Sequence, residues 1–184
     1  MSAYSSSKAL MSSADLRLQK HGAIGETYPL GLAANTTTMS SQAIYFGLVG
    51  VKKGSVVTGI NVAVSTQGTA STSVFVALYD GASNLLASSG DLTTALDSVG
   101  VKALAFTTPY VVPADDGVYA AIMTISGGPA VLLRAATATQ SMQAINTGVK
   151  GFGIQTGQAT LPNPATIAAG TTTIWFGVYG TAAV

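Results

Sequence analysis

Much of the chain falls into short apolar runs of strand length, the clearest of which alternates apolar and polar residues with a period of two, and turn formers separate the runs. Residues 55–65 show it best: Val56, Thr58, Ile60, Val62 and Val64 fall on one face, with Val57, Gly59, Asn61, Ala63 and Ser65 on the other. A period of two is that of a β-strand. Comparable runs occupy residues 42–49, 73–79, 84–88, 101–107, 117–126, 130–136 and 172–179. Lys53-Gly54, Gln67-Gly68, residues 113–117 and Gly127-Gly128-Pro129 punctuate them, and Asp80-Gly81 has hairpin chemistry. The pattern predicts an all-β fold, a jelly-roll-like antiparallel β-sandwich of about eight strands. Residues 137–170 read as a long loop with one strand near 149–155.

The first forty residues follow a different pattern. They hold five charges (Lys8, Asp15, Arg17, Lys20, Glu26) and the only histidine, His21. Ser12 or Ser13 can cap a short helix over residues 14–20, with Gly22 as its stop. Residues 27–34 and 35–39 then read as extended chain. We therefore expect an extended N-terminal arm over residues 1–40 and a sandwich domain over 41–184. Leu10, Leu16, Leu18, Ile24, Leu30 and Leu32 need a surface to pack on, so the arm is expected to reach across a neighbour.

Two of the strands are apolar on both sides. In residues 73–79, Val74, Val76 and Leu78 oppose Phe75, Ala77 and Tyr79, and residues 118–125 behave alike. A sheet with one solvated face should alternate, so a second cover is required, from the N-terminal segment or another subunit. Leu16, Leu18, Leu30, Leu32, Phe75 and Tyr79 are accordingly the candidate interface residues. Ile44-Tyr-Phe-Gly-Leu-Val-Gly50 and Ile174-Trp-Phe-Gly-Val-Tyr-Gly180 share one pattern, which suggests first and last strands lying side by side to close the domain.

Composition points the same way. Only 8% of the 184 residues are charged and 48% are apolar, while Ala, Thr, Ser and Gly make up half the chain. An average soluble domain has about 25% charged residues, and dense mixed charge is what keeps a free monomer soluble. A surface of small uncharged residues suits a protein packed against neighbours. The net charge of +1 gives no electrostatic reason to expect nucleic acid or an anionic membrane as partner. With no cysteine, disulfides, thiolate metal sites and thiol nucleophiles are excluded. No apolar run approaches the roughly 20 residues that span a bilayer. The start lacks the apolar core of a secretory signal, so a soluble chain made in a cytoplasm is expected.

Catalytic chemistry is hard to assemble from these residues. A serine triad needs an imidazole, and His21 sits in the arm. Asp80, Asp91, Asp97, Asp115 and Asp116 lie in expected turns, where aspartate bonds its own backbone. Gly151-Phe-Gly-Ile-Gln-Thr-Gly157 spaces its glycines wrongly for a dinucleotide fingerprint. No catalytic, metal-binding or cofactor-binding residue is assigned, and an enzyme is not expected. Sugar-binding modules present exposed aromatics, which makes Tyr110, Phe152 and Trp175 the candidate glycan contacts.

Val76-Ala-Leu-Tyr-Asp-Gly-Ala-Ser-Asn-Leu-Leu-Ala-Ser-Ser89 and Phe106-Thr-Thr-Pro-Tyr-Val-Val-Pro-Ala-Asp-Asp-Gly-Val-Tyr-Ala-Ala121 carry a family likeness. They resemble the β-sandwich modules of tailed-bacteriophage virions, found on tail fibres and as capsid decoration or head-fibre proteins. The likeness covers about residues 44–126 and departs at Asp115-Asp116-Gly117, where a shorter turn is common. It carries over no functional residue. It implies a virion protein made in the host cytoplasm, assembled as a homotrimer or other symmetric oligomer and partnered by proteins such as the major capsid protein. Decoration or cementing of the capsid, with the arm as anchor, is the expected role. The alternative is a tail-fibre or spike module that recognises host surface glycans.

Overall fold

Strands form where the apolar runs lie. In the computed structural model, residues 22–33, 35–67, 71–114, 116–126, 132–137, 151–169 and 172–183 are described. The strands are β1 (Gly25–Glu26), β2 (Asn35–Thr38), β3 (Ala43–Val51), β4 (Val56–Thr66), β5 (Ser71–Tyr79), β6 (Leu85–Ser88) and β7 (Gly100–Val111). They continue with β8 (Asp116–Ser126), β9 (Leu132–Thr137), β10 (Phe152–Gln155), β11 (Ala168–Ala169), β12 (Thr172–Ile174) and β13 (Phe176–Thr181). Among the described residues the only helical element is a single 3-10 turn, Leu30–Leu32. The number exceeds eight because short strands were not visible as periodic runs. In addition, the run over 172–179 breaks at Trp175, where the pairing passes from β9 to β4.

Two antiparallel sheets make the sandwich. One runs β1-β13-β4-β9-β12, with β2 added on β9 and β7 on β4; the other runs β11-β10-β3-β8-β5-β6. From β3 onward, successive long strands alternate between the sheets, the connectivity of a jelly-roll-like sandwich. Between them, Tyr45, Val49, Val74, Val76, Leu78 and Ile122 meet Val57, Ile60, Val62, Leu104, Phe106, Phe176 and Val178. The two Ile-aromatic-Phe-Gly runs do not lie side by side. They belong to opposite sheets and face each other across this core. At Gly47 a side chain would stand 2.6 Å from the Phe176 ring and from Thr27, so only glycine admits the close approach.

The inward face of β4 also departs from strict alternation. Ile60, Val62 and Val64 join the core as the pattern requires, but the fourth member is Val57, while Val56 and Thr58 are half-buried. The register against β7 shifts between Val57 and Gly59, and a bulge re-aims every side chain beyond it. Gly59 carries the shift: a Cβ there would lie 2.2 Å from the Leu104 carbonyl oxygen.

Part of each sheet's outer face is covered by this same chain. Over β3, β5 and β8, Ile44, Phe46, Ala77, Tyr79, Tyr119, Ala121 and Met123 form a second apolar layer with Ala165 and Ile167. Those two come from residues 156–167, which cross the sheet as a strap. Gln158 N donates to the Gln42 carbonyl (2.9 Å), Ala165 N to the Ser83 carbonyl (2.9 Å) and Leu85 N to Asn163 Oδ1 (3.0 Å). On the other sheet, Trp175, Ala63, Tyr28 and Ala33 form a third cluster. The described part of the N-terminal segment supplies Tyr28 and Ala33 and is woven into the sandwich. Ile24 N donates to the Val178 carbonyl (2.7 Å), Thr27 N to the Phe176 carbonyl (2.9 Å), and β2 pairs with β9. Among the described residues the second cover of β5 and β8 comes from the strap. The expected helix over 14–20, with Leu10, Leu16, Leu18 and His21, lies outside the described residues.

Candidate functional site

The carboxylates act as local structure. Asp80 accepts from Asn84 N (2.8 Å) and Asn84 Nδ2 (2.9 Å), closing the β5–β6 hairpin. The positive-φ residue of that turn is Ser83, not Gly81. Partial burial opposes ionisation of Asp80, but the hydrogen bonds from Asn84 and Ala82 outweigh it and hold the carboxyl below its ordinary range. Asp91 takes the place of a strand partner beside β5, accepting from Ser73 Oγ (2.7 Å), Val74 N (3.1 Å) and Thr93 Oγ1 (2.9 Å). The Ser73 bond, with those of Val74 and Thr93, lowers its pKa. Among the described residues no three acidic, histidine or cysteine side chains gather into a metal-binding group. Asp115 and the Asp116 side chain lie outside the description.

The aromatic candidates for glycan contact do not form one surface. Trp175 is fully buried, and its indole N–H donates to Glu26 Oε2 (3.1 Å). Phe152 on β10 is buried in the other sheet. Tyr110 on β7 is half-buried, packed against the core. A sugar stacks on an exposed ring face, which neither Trp175 nor Phe152 offers. Both rings are buried within this chain, Trp175 in the cluster with Tyr28, Ala33 and Ala63.

The interface candidates separate in the same way. Tyr79 is a core residue: its ring meets Phe46 edge-on at 5.5 Å, and its hydroxyl donates to the Pro162 carbonyl (3.1 Å). Burial pushes its phenol well above the ordinary value. Phe75 is half-buried beside the strap. Leu30 is half-buried and lines a groove, and Leu32 is the last residue of the 3-10 turn. Leu16 and Leu18 lie outside the described residues.

A surface feature that these candidates missed lies along β7. The strand pairs only with β4, on the side away from β13. Its even positions Leu104 and Phe106 point into the core, and its odd positions face solvent. Val101, Ala103 and Ala105 sit opposite Ala63, Asn61 and Gly59, on the outer face of the sheet. Val101 is 45% exposed, Val111 59% and the adjoining Val99 61%, the exposed large hydrophobics among the described residues. The strand's only charge, Lys102, turns aside to donate to Ser98 Oγ. Where this stripe meets the N-terminal cover, Leu30, Ala33, Ala63, Val64, Ser65, Val99, Gly100 and Val101 line an open groove of about 350 Å3. Pro109 was the readable signal, since proline within a strand marks a sheet edge.

Comparison with protein-family models finds no match, and comparison with curated proteins finds none either.

Proposed function

We propose that this chain is a structural virion protein of a tailed phage, which decorates or cements the capsid through contacts between copies and an anchoring N-terminal segment. The observation that carries the reading is the uncharged outward stripe of β7, which holds Val101 and Val111 and, with the adjoining Val99, the exposed large hydrophobics among the described residues. Long exposed edge strands favour association unless charge, proline or bulges blunt them; β7 carries Lys102 and Pro109, while its first half presents Val101, Ala103 and Ala105 outward with no charge among them. The scarcity of charge over the whole chain supports the same reading. The phage setting rests on the likeness carried by residues 76–89 and 106–121. These residues form the β5–β6 turn with its flanking strands and about half of each of β7 and β8, which lie in opposite sheets.

Association here is a matter of burying apolar surface. A standard contact of about 1,600 Å2, at ~25 cal/mol per Å2, carries tens of kcal/mol gross, most of it offset by ordering and desolvation. The test is co-sedimentation of the full-length protein with undecorated phage capsids, alongside light scattering of the free protein. A symmetric oligomer, the trimer above all, that saturates the particles at a stoichiometry set by capsid symmetry is the expected result. A monomer that stays in the supernatant overturns the reading. The receptor-binding alternative predicts retention on a glycan array, and the burial of Trp175 and Phe152 gives that alternative no support.

A further inference from the structure

We infer that the β7 stripe and its groove are the receptor for the leading segment, residues 1–21, of a neighbouring copy. This inference deepens the proposed function and rests on it. The stripe is one strand wide and about 40 Å long at ~3.3 Å per residue. At a strand spacing of about 4.8 Å it therefore offers roughly 190 Å2, about a quarter of what each partner contributes to a standard interface. A surface of that size suits a single chain segment better than the face of a second sandwich. The groove is lined mainly by Val, Ala and Leu, with Ser65 its one polar side chain and no charge, which suits a ligand with apolar side chains on a short element. Residues 1–21 contain such side chains in Leu10, Leu16 and Leu18.

Topology favours a neighbour over the chain's own segment. The described chain starts at Gly22, beside β13, with β1 at the outer edge of that sheet; β7 lies on the opposite side of β4. Tyr28, Leu30 and Ala33 already occupy the outer face between the two edges. A segment returning in its own molecule would have to pass over these residues. The groove is instead open on the β7 side, where a neighbour can approach.

The absence of cysteine makes the test direct. Full-length protein carrying Leu18→Cys is mixed with a differently tagged full-length protein carrying Val101→Cys, and the mixture is treated with a short bis-maleimide. The expected result is a cross-linked pair containing both tags, reduced at least about tenfold when the Val101→Cys copy also carries Val99→Asp. Both ledge positions are exposed, so circular dichroism should report an unchanged fold. Three results overturn the inference. One is closure of a doubly substituted chain on itself without a two-tag product, the second is coupling only between Val101→Cys copies, and the third is no coupling. Capsid co-sedimentation separates the two levels. If Val99→Asp abolishes coupling but leaves capsid binding intact, the segment–ledge contact stands and is dispensable for decoration; if capsid binding is absent while coupling persists, the virion reading alone fails.

Discussion

Trp175 shows how a single contact can be tested. It is the only tryptophan and is fully buried, with its indole N–H on the Glu26 carboxylate at 3.1 Å. Removing an acceptor from a buried donor costs about 1–3 kcal/mol. Glu26→Ala should lose that much in urea unfolding followed by tryptophan fluorescence, and Glu26→Gln, which keeps an acceptor, should lose less. Gly47 tests packing at the same scale. Any side chain there meets Phe176 at 2.6 Å, and overpacking a core costs typically 1–3 kcal/mol, so Gly47→Ala should lower the urea midpoint by a comparable amount. Neither role was legible from the residues. A tryptophan in an apolar strand reads as core more readily than as an exposed platform, but its partner Glu26 lies about 150 positions away in sequence and leaves no local signal.

The strands themselves were legible, and the reason is physical. A strand-length apolar run between turn formers is readable whether one face is buried, as in β7, or both, as in β3, β5 and β8, and these strands and β4 all fall close to their predicted runs. The bulge at Gly59 was hidden because glycine in a strand has several uses. Without periodicity to mark it, the strap over 156–167 also escaped notice, since Leu161, Ala165 and Ile167 stand among prolines, asparagine and threonines. The strap supplies the cover over β5 and β8 that their doubly apolar pattern calls for. Its anchor can be measured: Ile167 is buried against the outer layer, and deleting a buried isoleucine side chain costs about 2–5 kcal/mol. Ile167→Ala should therefore destabilise the protein within that range and speed hydrogen exchange at Ala165 N, the amide that bonds the Ser83 carbonyl. Unchanged exchange there would mean that the strap does not depend on its apolar anchor.

At the scale of the whole molecule, the scarcity of ions leaves few groups to shape the response to pH. Asp80 and Asp91 have lowered pKa values. Their contribution is in place above the unfolded carboxylate value, near 3.9, and fades as pH falls through the lower folded values. Both are largely exposed, so this acid limb should be shallow. The alkaline limb has the opposite sign. Burial raises the phenols of Tyr79, Tyr119 and Tyr179, so above the unfolded tyrosine value, near 10, the native state binds more protons than the unfolded one. Stability is then fully present below pH 10 and is lost as pH rises toward the folded values. Urea unfolding between pH 5 and 9 should give a nearly constant free energy, followed by a fall between pH 10 and 11.5. Tyr79→Phe separates the terms. At pH 8 it gives up the hydroxyl bond to Pro162, about 1 kcal/mol, while above pH 10 it removes the most strongly shifted phenol. The variant should therefore start less stable than the parent and lose less on going to pH 11.5. Equal alkaline losses in the two proteins would show that Tyr79 does not control the limb.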